Sequence, residues 1–242
     1  MHFHIARPWE YTCFGFTGIL AAYQLHRFLR IHQFKTHIST NRRLAWMLKN
    51  KRFLQVLFVI SSLSCGYLFL TLATSIKHWI FAGICGLIVL LYAFPLPGIH
   101  KGIRSIPFIK ILLISATWAL ICYFPFISSH QPVPWWLILS IALTTFIQII
   151  PFDIRDLPVD DASMHTIPQL LGVPKSIVLG IVLITAQALS LPFKLGFHPF
   201  LLLFWGSSVL GFLIPVSGKT LLFLEFLWEI PLLFMGLFLL AS

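Results

Sequence analysis

The sequence predicts an all-α, polytopic transmembrane helix bundle of about eight helices. Three observations predict it: overall apolarity, recurring runs of membrane length, and basic residues gathered between alternate runs. Of 242 residues, 58% are hydrophobic and 10% charged, with a mean hydropathy of +0.92, far from the composition of a soluble domain. A helix needs about 20 apolar residues to cross about 30 Å of hydrocarbon. Runs of that order fall at 11–25, 53–76, 79–96, 106–127, 133–152, 176–192, 199–215 and 221–241, and we read them as one integral membrane domain over 1–242.

The first run is the shortest. Arg7 and Glu10 stand before it and no clear cleavage site follows, so it reads as a spanning helix rather than a signal peptide. Between runs one and two, "NRRLAWMLKNKRF" at 41–53 reads as a topology determinant and a helix on the cytoplasmic membrane surface. The prolines are read as punctuation at run ends: Pro8 before the first, Pro95 and Pro97 after the third, Pro132, Pro134 and Pro151 around the fifth, then Pro192, Pro199 and Pro215. The last run carries Glu225 and Glu229, four apart and therefore on one face, which we expect to point into the bundle. Cys13, Cys65, Cys85 and Cys122 stand within apolar runs at no ligand spacing and read as reduced thiols. Of the aromatics, 24 Phe and 8 Trp among them, most are expected to face lipid or form interface belts.

The formal net charge is +10, but its distribution excludes a nucleic-acid partner as the explanation. Fourteen of the 17 Lys and Arg lie in odd-numbered connections or, as Lys110 does, in the first turn of the run that follows one. By the positive-inside rule those connections are cytoplasmic and both termini lie outside. Basic cytoplasmic loops also suit anionic headgroups or phosphorylated lipid substrates.

All four aspartates, Asp153, Asp156, Asp160 and Asp161, fall within nine residues, and Glu10 is the only acid before them. The predicted topology puts them at the cytoplasmic end of the fifth run. An ionised carboxylate at the bilayer centre costs about 2.5–3.5 kcal/mol on insertion scales, so the cluster must meet water or a polar cavity. Asp153, Asp156 and Asp160 share a helical face by spacing, but Pro158 predicts a helix end and a turn rather than one straight helix. Converging carboxylates repel unless a cation lies between them, and a hard divalent ion such as Mg²⁺ suits a few carboxylates plus phosphate oxygens. A solvated acidic turn with no partner is the alternative on these residues alone.

The stretch "DIRDLPVDDASMHTIPQLLG" at 153–172 resembles the second aspartate-rich motif of the UbiA-type intramembrane prenyltransferases, with Asp153, Asp156 and Asp160 on its three acids. "LLYAFPLPGIHKGIRSIPFIK" at 90–110 is similar to that family's Tyr-led basic loop. The resemblance implies a bundle around a cavity open to the cytoplasm and to lipid, in a membrane expected to be the bacterial cytoplasmic membrane. It further implies Mg²⁺ held by Asp153, Asp156 and Asp160 against an isoprenyl diphosphate. Ionisation of the allylic C–O bond and capture by a lipophilic acceptor would follow. Lys101, Arg104 and Lys110 become diphosphate contacts. The family's first motif has its nearest counterpart in "YQLHRF" at 23–28, where His26 and Arg27 replace acids; such a pair contacts phosphate directly instead of holding a metal. That departure opens a second reading, a catalytically inactive relative that binds lipid or a partner. A transporter built on Glu225, Glu229 and the aspartates is a third, without the repeat symmetry that would favour it.

Overall fold

A computed structural model describes residues 7–30, 42–94, 106, 108–128, 133, 135–157, 165–190, 205–206, 208–209 and 212. Among these the regular structure is helical, with no strand: α1 (Pro8–Arg30), α2 (Arg42–Lys49), α3 (Lys51–Leu72), α4 (Ile76–Ala93), α5 (Ile109–Ser128), α6 (Trp135–Asp156), α7 (Ile167–Leu171) and α8 (Val173–Ser190). Three stretches, Lys51–Leu72, Ile109–Ile127 and Trp135–Asp156, are long and apolar enough to cross a membrane. The runs expected at 199–215 and 221–241 lie almost wholly outside the described residues, as do Glu225 and Glu229.

The chain divides into two compact units. The first comprises His4–Ile103 and Leu120–Val133. Its α1 packs along α3, and begins with Pro8 in the first turn, where a missing N–H costs nothing. The short α2 is amphipathic and lays Met47 on Leu54 and Phe28, as expected of a surface helix leading into a span. The core is aromatic: Phe124 is fully buried, with Phe14 at 4.7 Å, Phe81 at 4.8 Å, His78 at 5.1 Å and Tyr11 at 5.5 Å between ring centroids. Edge-to-face and tilted pairs of this kind add about 0.5–1.5 kcal/mol each beyond area burial. Gly15 permits the close approach of α1 to α5, since a Cβ there would lie 2.7 Å from Ile121 Cγ2.

The second unit comprises Met1–Phe3, Arg104–Ala119 and Pro134–Ser242, and it is organised by α6. In α6, 67% of the most apolar window is buried, against 11% in α3; α3 exposes Val56, Ile60, Leu63, Tyr67 and Leu70, a surface suited to lipid chains. α6 packs against α8 and α7. Pro151, expected at a helix end, lies inside α6 and is buried. Proline leaves the carbonyl of Ile147 without its usual amide donor, a loss that neighbouring groups offset in membrane helices, so the helix continues one and a half turns beyond the expected stop. It ends at Asp156, with Leu157 N–H turned onto Ile154 O at 3.4 Å. Past the stretch 158–164, Thr166 starts α7, its N–H donating to Gln169 Oε1 at 3.0 Å. Gly172 stops α7 at φ 79°, a left-handed conformation glycine reaches without strain.

Candidate functional site

The second unit holds a polar centre at the C-terminal end of α6. Asp153 is 2% exposed among Ile149, Ile150 and Ile154, all buried. Lys110, in the first turn of α5, donates from Nζ to Asp153 Oδ1 at 2.6 Å, its side chain 17% exposed. Each charge stands at the unfavourable end of its own helix, the carboxylate at the negative C-terminus of α6 and the ammonium at the positive N-terminus of α5. Pairing sets each beside the other helix's favourable end. The sequence separation of 43 residues is closed by the fold alone.

One turn further on, Asp156 takes both nitrogens of its neighbour's fork, Arg155 Nε to Oδ1 at 2.8 Å and a terminal nitrogen to Oδ2 at 3.1 Å. Arg155 also lies over the Phe152 ring, 5.0 Å from its centroid, so its planar cation is held on two sides. The two carboxylates therefore share a helix but answer to different cations.

A cavity of about 10 Å³ adjoins the Lys110–Asp153 pair, lined by Phe108, Lys110, Ile111, Asp153, Thr166 and Ile167, roughly the room of one water. Thr166, the N-cap of α7, contributes its buried side chain to the lining. Three non-glycine residues among those described have positive φ; one of them, Phe108 at 63°, lines this cavity, and another, His165 at 46°, precedes Thr166 in the chain. Such conformations cost about 1–3 kcal/mol each and gather at ligand-handling sites.

The residues assigned from sequence are thus distributed unequally. Lys110 and Asp153 come together; Asp156 is held by Arg155; His26 stacks on Tyr92 with ring centroids 4.8 Å apart. Asp160, Lys101, Arg104 and the side chain of Arg27 lie outside the described residues. Among the described residues no group of three or more His, Cys, Asp or Glu side chains gathers. Asp153 and Asp156 carry hard oxygen donors of the type Mg²⁺ prefers, but each is bonded to a cation of the chain and only Asp153 lines the cavity, so the described residues do not by themselves form a site for such an ion.

Sequence reasoning missed a second polar feature. Gln187 of α8 donates from Nε2 to Ser140 O and to Thr144 Oγ1, both at 2.7 Å, and Thr144 Oγ1 donates to Ser140 O at 2.8 Å. Gln148, four residues on, is 7% exposed with neither amide atom partnered. The signal was present as Ser140, Thr144 and Gln148 at helical spacing inside an apolar run.

No protein-family model matches this chain, and no curated protein or solved structure matches it either.

Proposed function

We propose that the chain is a UbiA-like polytopic membrane protein that transfers an isoprenyl group from an isoprenyl diphosphate to a lipophilic acceptor within the membrane. The observation that carries this reading is the Lys110–Asp153 pair, a buried carboxylate and a phosphate-binding cation set together at one end of an apolar helix. Lys110 is the residue that binds the diphosphate, by charge-assisted hydrogen bonds from a flexible stem. Asp153 and Asp156, with Asp160, are the oxygen donors that would hold Mg²⁺, which supplies charge neutralisation on the leaving diphosphate. Phe108, Ile111 and Ile167 line the site with apolar surface, which disfavours water and so protects an allylic cation from capture by it. The transfer breaks the allylic C–O bond, releases diphosphate, and forms the bond to the acceptor with loss of a proton from it.

The test is turnover by the purified protein over a panel of isoprenyl diphosphates of increasing chain length, with Mg²⁺ and lipophilic phenolic acceptors. Mg²⁺-dependent release of diphosphate that disappears in Asp153→Asn is expected. Absence of release from the whole panel, under conditions in which a family enzyme is active, sinks the reading.

A non-catalytic relative is favoured by one observation: both described carboxylates of the cluster are already paired with cations of the chain itself. An inert remnant of this kind tolerates Asp153→Asn and Asp156→Asn without a cellular phenotype, whereas an enzyme does not.

A further inference from the structure

Three exposed cations and two exposed aromatics stand together where α2 meets α3: Lys49, Lys51 and Arg52, with Trp46 and Phe53. We infer that α2 and the first turn of α3 form a docking surface for the anionic headgroups of phospholipids in the leaflet at this end of α3. The transferase reading uses other residues and another ligand, so the two stand or fall separately.

The depth of the surface follows from length. α3 has 22 residues, about 33 Å at 1.5 Å per residue, against about 30 Å of hydrocarbon. A crossing by α3 leaves its first turn, with Lys51 and Arg52, at headgroup level. α2 is held beside that turn by its inner face, where Met47 packs on Leu54 and Phe28. Asn50 fixes the elbow between the helices, its backbone N–H and its Nδ2 both donating to Trp46 O at 2.9 Å. Beyond that apolar seam Trp46 is 51% and Phe53 59% exposed. Amphipathic and aromatic rings at the end of a span rest among headgroups, the same level as the three cations.

Nothing acidic is at hand to neutralise these charges. The chain has no Asp or Glu between Glu10 and Asp153, and the ion pairs among the described residues involve none of Lys49, Lys51 and Arg52. Lys51 and Arg52 also stand at the positive end of the α3 dipole, where a cation is unfavourable unless an anion lies beside it. Lipid phosphates supply that anion, and each cation near the surface adds to the attraction. Orienting the chain in the membrane requires only that this connection be basic. It does not require the cations to be exposed on a fixed helix pair in company with Trp46 and Phe53. An acidic protein segment would match the charge equally well, but it would have to cover two rings that lie at lipid depth.

The experiment uses the full chain with Cys13, Cys65, Cys85 and Cys122 replaced by serine and a fluorophore on Gln55→Cys, an exposed position one turn further along α3. It is reconstituted in phosphatidylcholine nanodiscs containing equal small fractions of either nitroxide-labelled phosphatidylglycerol or nitroxide-labelled phosphatidylcholine. Labelled phosphatidylglycerol should quench about threefold more strongly at low ionic strength. The excess should disappear at about 1 M salt, where the screening length is about 3 Å, and in the Lys49→Gln/Lys51→Gln/Arg52→Gln variant. The Lys49→Arg/Lys51→Arg/Arg52→Lys variant keeps the charges and should keep the excess; loss there as well overturns the charge argument. Equal quenching by the two lipids in the otherwise native chain overturns the inference. So does a preference that survives the three glutamines, since other basic residues would then carry it. If the fluorophore responds to a polyglutamate peptide and not to labelled phosphatidylglycerol, the surface docks an acidic protein and the lipid assignment falls.

Discussion

Lys110 and Asp153 make an ion pair whose value depends on both members being present. Removing one takes from a buried charge its counter-ion at 2.6 Å, a change that costs about 3–5 kcal/mol in buried pairs, whereas replacing both with well-packed neutral groups is often close to neutral. Thermal unfolding in detergent should therefore show Lys110→Met as strongly destabilised, with the Lys110→Met/Asp153→Leu double variant recovering most of the loss. A double variant no better than the single would mean the pair is not coupled in the folded state. The other described ion pair of interest is at the surface. Arg7 donates to Glu10 at 3.0 Å, and that hydrogen bond holds the Glu10 carboxyl below its ordinary value of 4.5. A depressed carboxylate adds stability that is complete above the ordinary value and is lost as pH falls through the lower, folded one. Following Glu10 by NMR, its midpoint should rise toward 4.5 in Arg7→Ala and in high salt; a midpoint unmoved by either refutes the contact. At this scale the sequence put the acids at a helix end and the lysine in the basic loop before the next run, and assigned them separate duties; the structure has Lys110 in the first turn of α5. Nothing in its spacing could join residues 110 and 153, because the contact depends on how α5 and α6 lie in space. Thr166 escaped for a related reason, being unremarkable until the fold buries it beside Asp153 and Lys110.

Among the elements, α6 and α8 are joined by polar groups where apolar contact would have sufficed. Gln187 bridges Ser140 and Thr144, and in a membrane such inter-helix hydrogen bonds are worth about 0.6 kcal/mol on average, rarely above about 1.7. Gln187→Leu should lower stability by roughly 1 kcal/mol without changing helix content by circular dichroism. A loss several times larger would show that the amide also supports Gln148 or the site below it. Gly172 is a sharper local demand: at φ 79° any other residue pays about 1 kcal/mol or more, so Gly172→Ala should loosen the α7–α8 corner, read as faster proteolysis after Lys175. The elements themselves were legible in proportion to their apolar length. α3, α4, α5 and α6 follow the expected runs to within a few residues, and the basic stretch read as a surface helix became α2. α7 was invisible because five residues carry no periodicity, only the capping signs of Thr166 and Gly172. Pro151 misled because the rule that proline ends a helix assumes water at the broken hydrogen bond, whereas here the residue is buried, as are Ile149, Ile150 and Ile154 of the same helix.

For the molecule as a whole, charge placement predicts which way the spans cross. The excess of Lys and Arg in odd-numbered connections predicts that Lys49 at the end of α2 and Lys175 at the start of α8 lie on the cytoplasmic side, and that Trp135 at the start of α6 lies on the opposite one. All three are exposed, so single cysteines at these positions in a background with Cys13, Cys65, Cys85 and Cys122 replaced by serine can be labelled by a membrane-impermeant thiol reagent. Labelling of Trp135→Cys in intact cells, with Lys49→Cys and Lys175→Cys labelled only after the membrane is opened, is the expected pattern. The pair that matters most is Trp135 and Lys175. Between them lie α6, the carboxylates and α7, so labelling from opposite sides requires α6 to cross once and puts Asp153 at the cytoplasmic end of the crossing. Under the proposed function a diphosphate would then reach Lys110 from the cytoplasmic side. If both are labelled from the same side, α6 does not cross singly, the carboxylates lose their position at a membrane mouth, and the transferase reading falls with it.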